Sequence, residues 1–294
     1  MTLPVAVARS LLFVPGDRPD RFAKAHASGA DAVILDLEDG VDPAAREVAR
    51  AHVREHLDGS APALVRLSAA DGRGLAADLS AVAARPGLAG VVVPKAEDAG
   101  AVRRIVDALP DGTAVVLLVE TAAGLLAAEA LARVRGVTRL ALGTVDLAAD
   151  AGFSRDADVL WVVRIGLTLA SRAAGLPGPV DGPSTDLVDL SRTAVESQDA
   201  ARTGFTGKLC IHPRQVTEVN DAFSPTPEAV DRARRIVDAA QASGSGAFRL
   251  DGEMIDAPVI THARAVLAAA SSFSSTPAAP RTRSATDGPS RPDR

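Results

Sequence analysis

The segment Ala32-Val33-Ile34-Leu35-Asp36-Leu37-Glu38-Asp39-Gly40 constrains the fold of this chain more than any other stretch. A continuous apolar run rich in β-branched residues suits a strand buried on both faces, and such strands belong to parallel sheets covered by helices. The run closes on the carboxylates of Asp36, Glu38 and Asp39. Acids at the end of a hydrophobic strand are costly to bury unless they are paired, hydrogen-bonded or close to a cation, which marks a candidate site. The plainer reading is that one of them caps the next helix while the others are solvated.

Comparable segments recur at Ser10–Gly16, Ala63–Ser68, Gly90–Lys95, Ala114–Glu120, Arg139–Asp146, Gly178–Gly182 and Gly207–His212, the Gly178 segment being the weakest. Helical patterns lie between them, one opened by Pro19 and ended by Gly29, the next opened by Asp42-Pro43 and ended by Gly59. Strand then helix, repeated about eight times, specifies a parallel sheet with right-handed crossovers and favours closure into a (β/α)8 TIM barrel. With 294 residues, 47% of them hydrophobic, the chain is long enough for one barrel domain of roughly 200 to 250 residues, assigned to 1–243.

After the eighth strand, Pro225-Thr226-Pro227-Glu228 opens a helix to about Ser243, and Ala247–Ile255 reads as a hairpin turning at Asp251-Gly252. A last helix is expected from near Pro258 through Ala270. Residues 244–270 thus form a C-terminal extension able to pack on a neighbouring subunit. Residues 271–294 have almost no large apolar side chain and are expected to be a disordered tail.

The net charge of −5, with acids and bases interspersed, gives no nucleic-acid patch. The single cysteine, Cys210, sits in an apolar run, reads as a core residue, and cannot form an internal disulfide, in keeping with a reducing compartment. No stretch has the length of a membrane span and the N-terminus lacks a signal-peptide pattern, so the expectation is a cytoplasmic protein with no membrane partner.

Asp36, Glu38, Asp39, Arg66, Lys95, Glu120, Asp146 and His212 all fall at or near the C-terminal tips of their strands. In a closed parallel barrel those tips surround one mouth, where sites on this fold are built. Glu120 and Asp146 end consecutive strands and make an oxygen-rich half-site suited to Mg²⁺; alternatively each pairs with Arg66 or Lys95. Zinc is disfavoured, because cysteine and histidine are not grouped. Arg66 can neutralise the acids or grip a substrate carboxylate through its fork. Lys95 can form a Schiff base if desolvated, but so many acids nearby favour an ion pair. His212 is either a packed hydrogen-bonding residue or a catalyst. Arg18, Arg21 and Lys24, three apart, would share a helical face able to bind phosphate, or form a solvated basic face.

These residues resemble those of a known family, the citrate lyase β-subunit-like proteins of the HpcH/HpaI aldolase group. The matching pieces are Arg9–Gly16, Leu35–Val41, Pro94-Lys95, Glu120-Thr121 with Gly124, Gly143–Asp146, Gly204–Lys208, Ile211–Gln215 and Asp251–Asp256, in order over nearly everything before the tail. The resemblance implies a Mg²⁺-dependent barrel, commonly a homotrimer, that cleaves or forms a carbon–carbon bond in 3-hydroxyacyl-CoA thioesters such as citryl-, malyl- or citramalyl-CoA. Its partners would be a CoA thioester and a small 2-keto acid of the oxaloacetate, glyoxylate or pyruvate class. By position it implies Glu120 and Asp146 as metal ligands, with Glu38 and Asp39 orienting water beside the metal and Arg66 binding the keto acid. Phe13 and Lys24 fall where relatives contact CoA. Asp256 matches an acid that relatives insert from a neighbouring subunit.

Three positions depart from the family pattern: Gly40 where alanine is frequent, Ser68 where asparagine is frequent, and Val145 where many relatives carry an acid. They leave the reaction class intact and the acyl group open. The expected activity is a retro-Claisen cleavage with Asp256 protonating the product enolate. The alternatives are a CoA-thioester hydrolase on the same site, or the β component of a multi-subunit lyase that uses acyl carrier protein.

Overall fold

A computed structural model of the chain describes residues 4–273, except 60, 70, 71, 73, 244 and 245. Each apolar run becomes a strand: β1 (Ser10–Pro15), β2 (Ala32–Asp36), β3 (Ala63–Arg66), β4 (Leu88–Val93), β5 (Ala114–Val119), β6 (Val137–Leu142), β7 (Val180–Asp181) and β8 (Gly207–Cys210). They pair in parallel in chain order, and β8 returns to β1, closing the (β/α)8 barrel that the strand–helix alternation predicts. The weakest expected strand, β7, is only two residues long.

Side-chain alternation divides the apolar residues into two layers. Leu11, Ile34, Leu64, Val92, Val116, Ala141 and Leu209 fill the barrel, while Leu12, Val33, Val65, Val91, Val115 and Cys210 face outward under the helices. The buried Cys210 thiol is pushed up to about 12 by desolvation, in keeping with a core role. The surrounding helices are α1 (Phe22–His26), α2 (Arg46–Gly59), α3 (Leu75–Val82), α4 (Ala99–Asp107), α5 (Ala122–Leu126), α6 (Ala128–Ala132), α7 (Thr144–Ala151), α8 (Ala157–Ala173), α9 (Leu190–Arg202) and α10 (Gln215–Ala222).

The start of the first helical segment differs from expectation. Pro19–Arg21 forms a single 3₁₀ turn, and α1 begins only at Phe22. Arg18 lies before that turn and spends two donors on Asp20, each at 2.9 Å, so Arg18, Arg21 and Lys24 do not form one helical stripe.

The barrel's N-terminal end is closed by Arg139, fully buried on β6. Its guanidinium donates to the carbonyls of Gly178 (2.9 Å), Ala8 (2.6 Å) and Val5 (3.1 Å) and to Thr206 Oγ1 (2.7 Å). Burial pulls its pKa down to about 9.

Beyond α10 the chain forms α11 (Pro227–Ser243), β9 (Phe248–Leu250), β10 (Glu253–Ile255) and α12 (Ala257–Phe273). The expected hairpin is present, with Asp251 and Gly252 both at positive φ (51° and 84°), as a type I′ turn requires. Ala233 and Ile236 of α11, Ile255 and Ala263 form an apolar cluster separate from the barrel's, so α11 packs with the hairpin and α12 as one arm. Each of its 17-residue helices spans about 25 Å.

Helix α12 runs three residues beyond the expected end at Ala270, because the hydroxyls of Ser271 and Ser272 bond back to the carbonyls of Leu267 and Ala268. The ring of Phe273 lies 4.1 Å from the Arg9 guanidinium. Residues 274–294, the rest of the expected tail, lie outside the described residues. Among the described residues no helix is long and apolar enough to cross a membrane.

Candidate active site

The C-terminal ends of β2, β3, β5 and β6 converge on a cavity of about 250 Å³ lined by Phe13, Asp36, Arg66, Glu120, Val145 and Asp146, among others. Residues far apart in sequence meet there because parallel strands in register end at one level: Asp36 of β2 pairs directly with Arg66 of β3.

Asp36 is the acid that sequence reasoning left without a role. Its carboxylate takes both prongs of Arg66, at 2.6 and 2.5 Å, and also accepts the backbone N–H of Glu38 and Gly40, each at 2.9 Å. The signal for it was the register of two adjacent strands, each ending in a charge. A Cβ at Gly40 would overlap Asp36 Oδ2, so the glycine leaves room for this clamp. Arg66 Nη1 reaches Glu38 at 3.1 Å, and the guanidinium lies 4.8 Å above the Phe13 ring. Burial favours the neutral form of Arg66, but the hydrogen bonds and charge of Asp36, reinforced by Glu38, raise its pKa and keep it cationic. Three of its five N–H groups are thus committed, and two remain for a ligand.

Glu38 is buried behind Arg66 and Asp39 is exposed at the rim. Lys95 joins them, 2.6 Å from Glu38 and 3.3 Å from Asp39. Partial burial acts to lower the lysine pKa, yet the bond to Glu38 and the charges of both acids outweigh it and raise the value. A lysine held cationic is a poor Schiff-base nucleophile, so the ion-pair role fits this geometry. Lys95 is one of two described non-glycine residues at positive φ (48°), and the strained backbone aims its N–H at Glu120 Oε1, 2.8 Å away.

Glu120 is almost fully buried and its pKa is pushed up to about 8, first by desolvation and then by the charge of Asp146, against the Lys95 N–H and Arg66. A buried carboxylate with too little positive charge, next to a second one on the first turn of α7, is a donor pair that a hard cation would relieve. Gly143 permits the approach, since a Cβ there would overlap Glu120 Cβ. Among the described residues no three His, Cys, Asp or Glu side chains form a complete metal cage. Two carboxylates with water and substrate oxygens filling the other positions suit Mg²⁺ rather than zinc.

Other expected residues fall outside this cavity. Lys24 is exposed on α1. His212 accepts the Arg214 N–H on Nδ1 at 3.1 Å and belongs to the turn leading into α10. Ser68 is buried away from the mouth, its N–H held by Asp78 at 2.7 Å. Asp256 lies on the arm at the start of α12, where its carboxylate accepts the Val259 N–H at 3.3 Å.

A second cavity, of about 760 Å³, adjoins the first through Thr144 and Pro183. Asp181 is buried beside it, bound by Arg164 through two 3.0 Å bonds and by Lys208 at 2.6 Å. Burial would raise the Asp181 pKa, but those two cations hold it low. Sequence reasoning missed this network because its members alternate outward on β7 and β8, toward the helices rather than the mouth.

The profile of the HpcH/HpaI aldolase/citrate lyase family matches residues 9–213, which takes in every strand of the barrel. The chain belongs to the HpcH/HpaI aldolase/citrate lyase family. Within it, the chain is 38% identical over 263 residues to a citrate lyase subunit beta-like protein of Mycobacterium tuberculosis, covering 87% of this chain and 93% of that one. It is 34% identical over 271 residues to a (3S)-malyl-CoA thioesterase of Cereibacter sphaeroides, covering 89% and 94%. The crystal structure of the family member CitE from M. tuberculosis in complex with magnesium, acetoacetate and coenzyme A superposes with a TM-score of 0.77 at 38% identity, over 90% of this chain and 99% of that one.

Proposed function

We propose that this chain is a Mg²⁺-dependent carbon–carbon lyase that converts a 3-hydroxyacyl-CoA thioester into an acyl-CoA and a 2-keto acid. The observation that carries it is the meeting of Glu120 and Asp146 in one cavity with the clamped Arg66. The magnesium, acetoacetate and coenzyme A bound by the M. tuberculosis relative supply the ligand classes.

Glu120 and Asp146 would hold the metal, which when bound supplies Lewis-acid polarisation of a hydroxyl and a carboxylate oxygen. Arg66 presents its two free N–H groups to the same substrate oxygens, and Asp36 and Phe13 fix its plane, so no reorganisation is needed as charge develops. Glu38, held by Arg66 and Lys95, and Asp39 at the rim are placed to accept the hydroxyl proton through water. The O–H electron pair becomes the carbonyl of the keto acid. The C–C bonding pair passes to the thioester α-carbon as an enolate.

Asp256 then protonates that carbon. It does not line the cavity of its own chain, and α12 returns from it to Phe273 beside Arg9 at the barrel's base. The arm therefore supplies Asp256 to a neighbouring mouth in a homo-oligomer, with a trimer as the reading. Phe13 and Lys24 would meet the CoA moiety, since a 250 Å³ cavity takes only the acyl end. We place the protein in the cytoplasm.

The test is incubation of the purified protein and Mg²⁺ with malyl-, citramalyl- and citryl-CoA, with products identified by mass. A keto acid plus an acyl-CoA is expected, abolished by EDTA. The malyl-CoA thioesterase relative favours a second reading, in which a water oriented at the same site attacks the thioester. That reaction yields free CoA and an intact hydroxy acid, so the same experiment separates the two.

A further inference from the structure

We infer that the catalytic cavity of this chain selects a 3-hydroxyacyl-CoA whose carbinol carbon carries hydrogen or a methyl group, and rejects one whose carbinol carbon carries a second carboxylate. The inference rests on the lyase reading above and narrows its substrate class to malyl- and citramalyl-CoA, each releasing a keto acid with one carboxylate, in preference to citryl-CoA. These three thioesters differ only at that substituent, so the wall that meets it decides among them.

The wall follows by elimination. The substrate hydroxyl and the carboxylate beside it are taken by the Glu120–Asp146 site and by the two free N–H groups of Arg66. The thioester arm has to leave through the open mouth, because 250 Å³ holds only the acyl end. The third substituent is left facing Leu118, Val145, Pro183, Leu209 and Ile211, with Thr144 as the one further polar side chain among the described lining residues. Leu118 and Leu209, each 2% exposed, form the floor of this wall, and Val145 and Ile211, each 41% exposed, form its rim. Val145 is also a position at which this chain departs from the family pattern.

The charges point the same way. Arg66 is the only cation among the described lining residues, and its charge is matched by Asp36. Glu120 and Asp146 together match a divalent metal, so a substrate with one carboxylate already leaves the cavity with one negative charge in excess. Lys95 does not line the cavity and is engaged by Glu38 and Asp39. The first turn of α7 carries Asp146, so the positive end of that helix is already faced by an acid. A second carboxylate would be pressed against leucine, valine and isoleucine with no ionic partner, whereas a methyl group gains contact there.

The test measures kcat/KM of the purified full-length protein with Mg²⁺ on the three thioesters and, separately, the binding of pyruvate and oxaloacetate by calorimetry. Citramalyl-CoA is expected to exceed malyl-CoA about tenfold, the worth of one methyl group in an apolar pocket, and citryl-CoA to fall roughly 100-fold below malyl-CoA. Pyruvate should bind more tightly than oxaloacetate. Val145→Lys, which brings a cation to the wall, is expected to raise the citryl-to-citramalyl ratio at least ~10-fold, and a ratio is insensitive to any shared loss of metal binding. Val145→Thr, of nearly the same shape, should shrink the preference for citramalyl- over malyl-CoA severalfold, which covers failure of the lysine variant to fold. Citryl-CoA turnover equal to that of citramalyl-CoA, oxaloacetate binding tighter than pyruvate, or ratios unmoved in both variants would each overturn the inference and leave the lyase reading intact. Absence of keto acid from every thioester, with pyruvate still bound in preference to oxaloacetate, would instead count against the lyase reading and leave the assignment of the wall standing.

Discussion

The two ends of the barrel handle buried charge in opposite ways. At the base, the Arg139 guanidinium meets only carbonyl and hydroxyl oxygens, each of its three nitrogens donating, and burial has drawn its pKa down to about 9 against the charge of Asp31. At the mouth, Asp36, Glu38, Glu120 and Asp146 gather around Arg66 and Lys95, and Glu120 is left short of positive charge with a pKa near 8. The base is satisfied and therefore structural. The mouth keeps an electrostatic deficit and a strained Lys95 backbone, which are features of a site prepared for a ligand rather than for stability.

Substitutions that equalise the two ends give the largest effects. Glu120→Gln and Asp146→Asn are each expected to slow cleavage at least ~1,000-fold by losing metal binding. Urea unfolding should show Glu120→Gln as stable as wild type or more so, because an uncompensated buried acid is removed. Arg139→Met is the mirror experiment, expected to cost about 3 kcal/mol in the same assay by leaving several carbonyls unpaired. Its activity per folded molecule should not change.

Gly143→Ala sharpens the comparison from within the mouth. The added methyl must displace Glu120 from its Cβ outward, and a roughly 100-fold loss of kcat/KM is expected together with an overpacking cost of about 1–3 kcal/mol in stability. Lys95→Met, removing a cation that pairs but does not react, should cost only about tenfold in turnover. Borohydride should trap no substrate on the wild-type protein.

The smallest effect lies on the flank between the two ends, where the Nε2 atoms of His26 and His56 are 3.1 Å apart. Burial lowers both pKa values below the ordinary 6.5, with the charge of His56 adding to the effect at His26. The unfolded chain therefore binds more protons than the folded one below pH 6.5. The stability from this pair is full above that pH and is lost as the pH falls through it. Melting temperature is expected to drop a few degrees from pH 7 to pH 5.5, and His26→Gln should flatten the drop.

Much of the barrel was legible because buried parallel strands leave continuous apolar runs, and even the two-residue β7 kept its Gly178–Gly182 signal. The convergence of Arg66, Glu120 and Asp146 followed from strand-end position alone. What was not legible depended on cross-strand or cross-element partners. The Asp36 clamp needed the β2–β3 register, and the Asp181 network needed knowledge of which β7 and β8 residues face the helices. The end of α12 was hidden because Ser271 and Ser272, read as tail residues, find carbonyls one turn back.

Phe273 packs against the Arg9 guanidinium, and the same arginine holds Asp31 at 2.8 Å and Ser224 Oγ at 2.7 Å. The last described helix is therefore pinned to the residue just ahead of the first strand. Fraying of that helix costs the barrel a contact at its opening strand, so the end of the arm and the start of the barrel are coupled through one arginine.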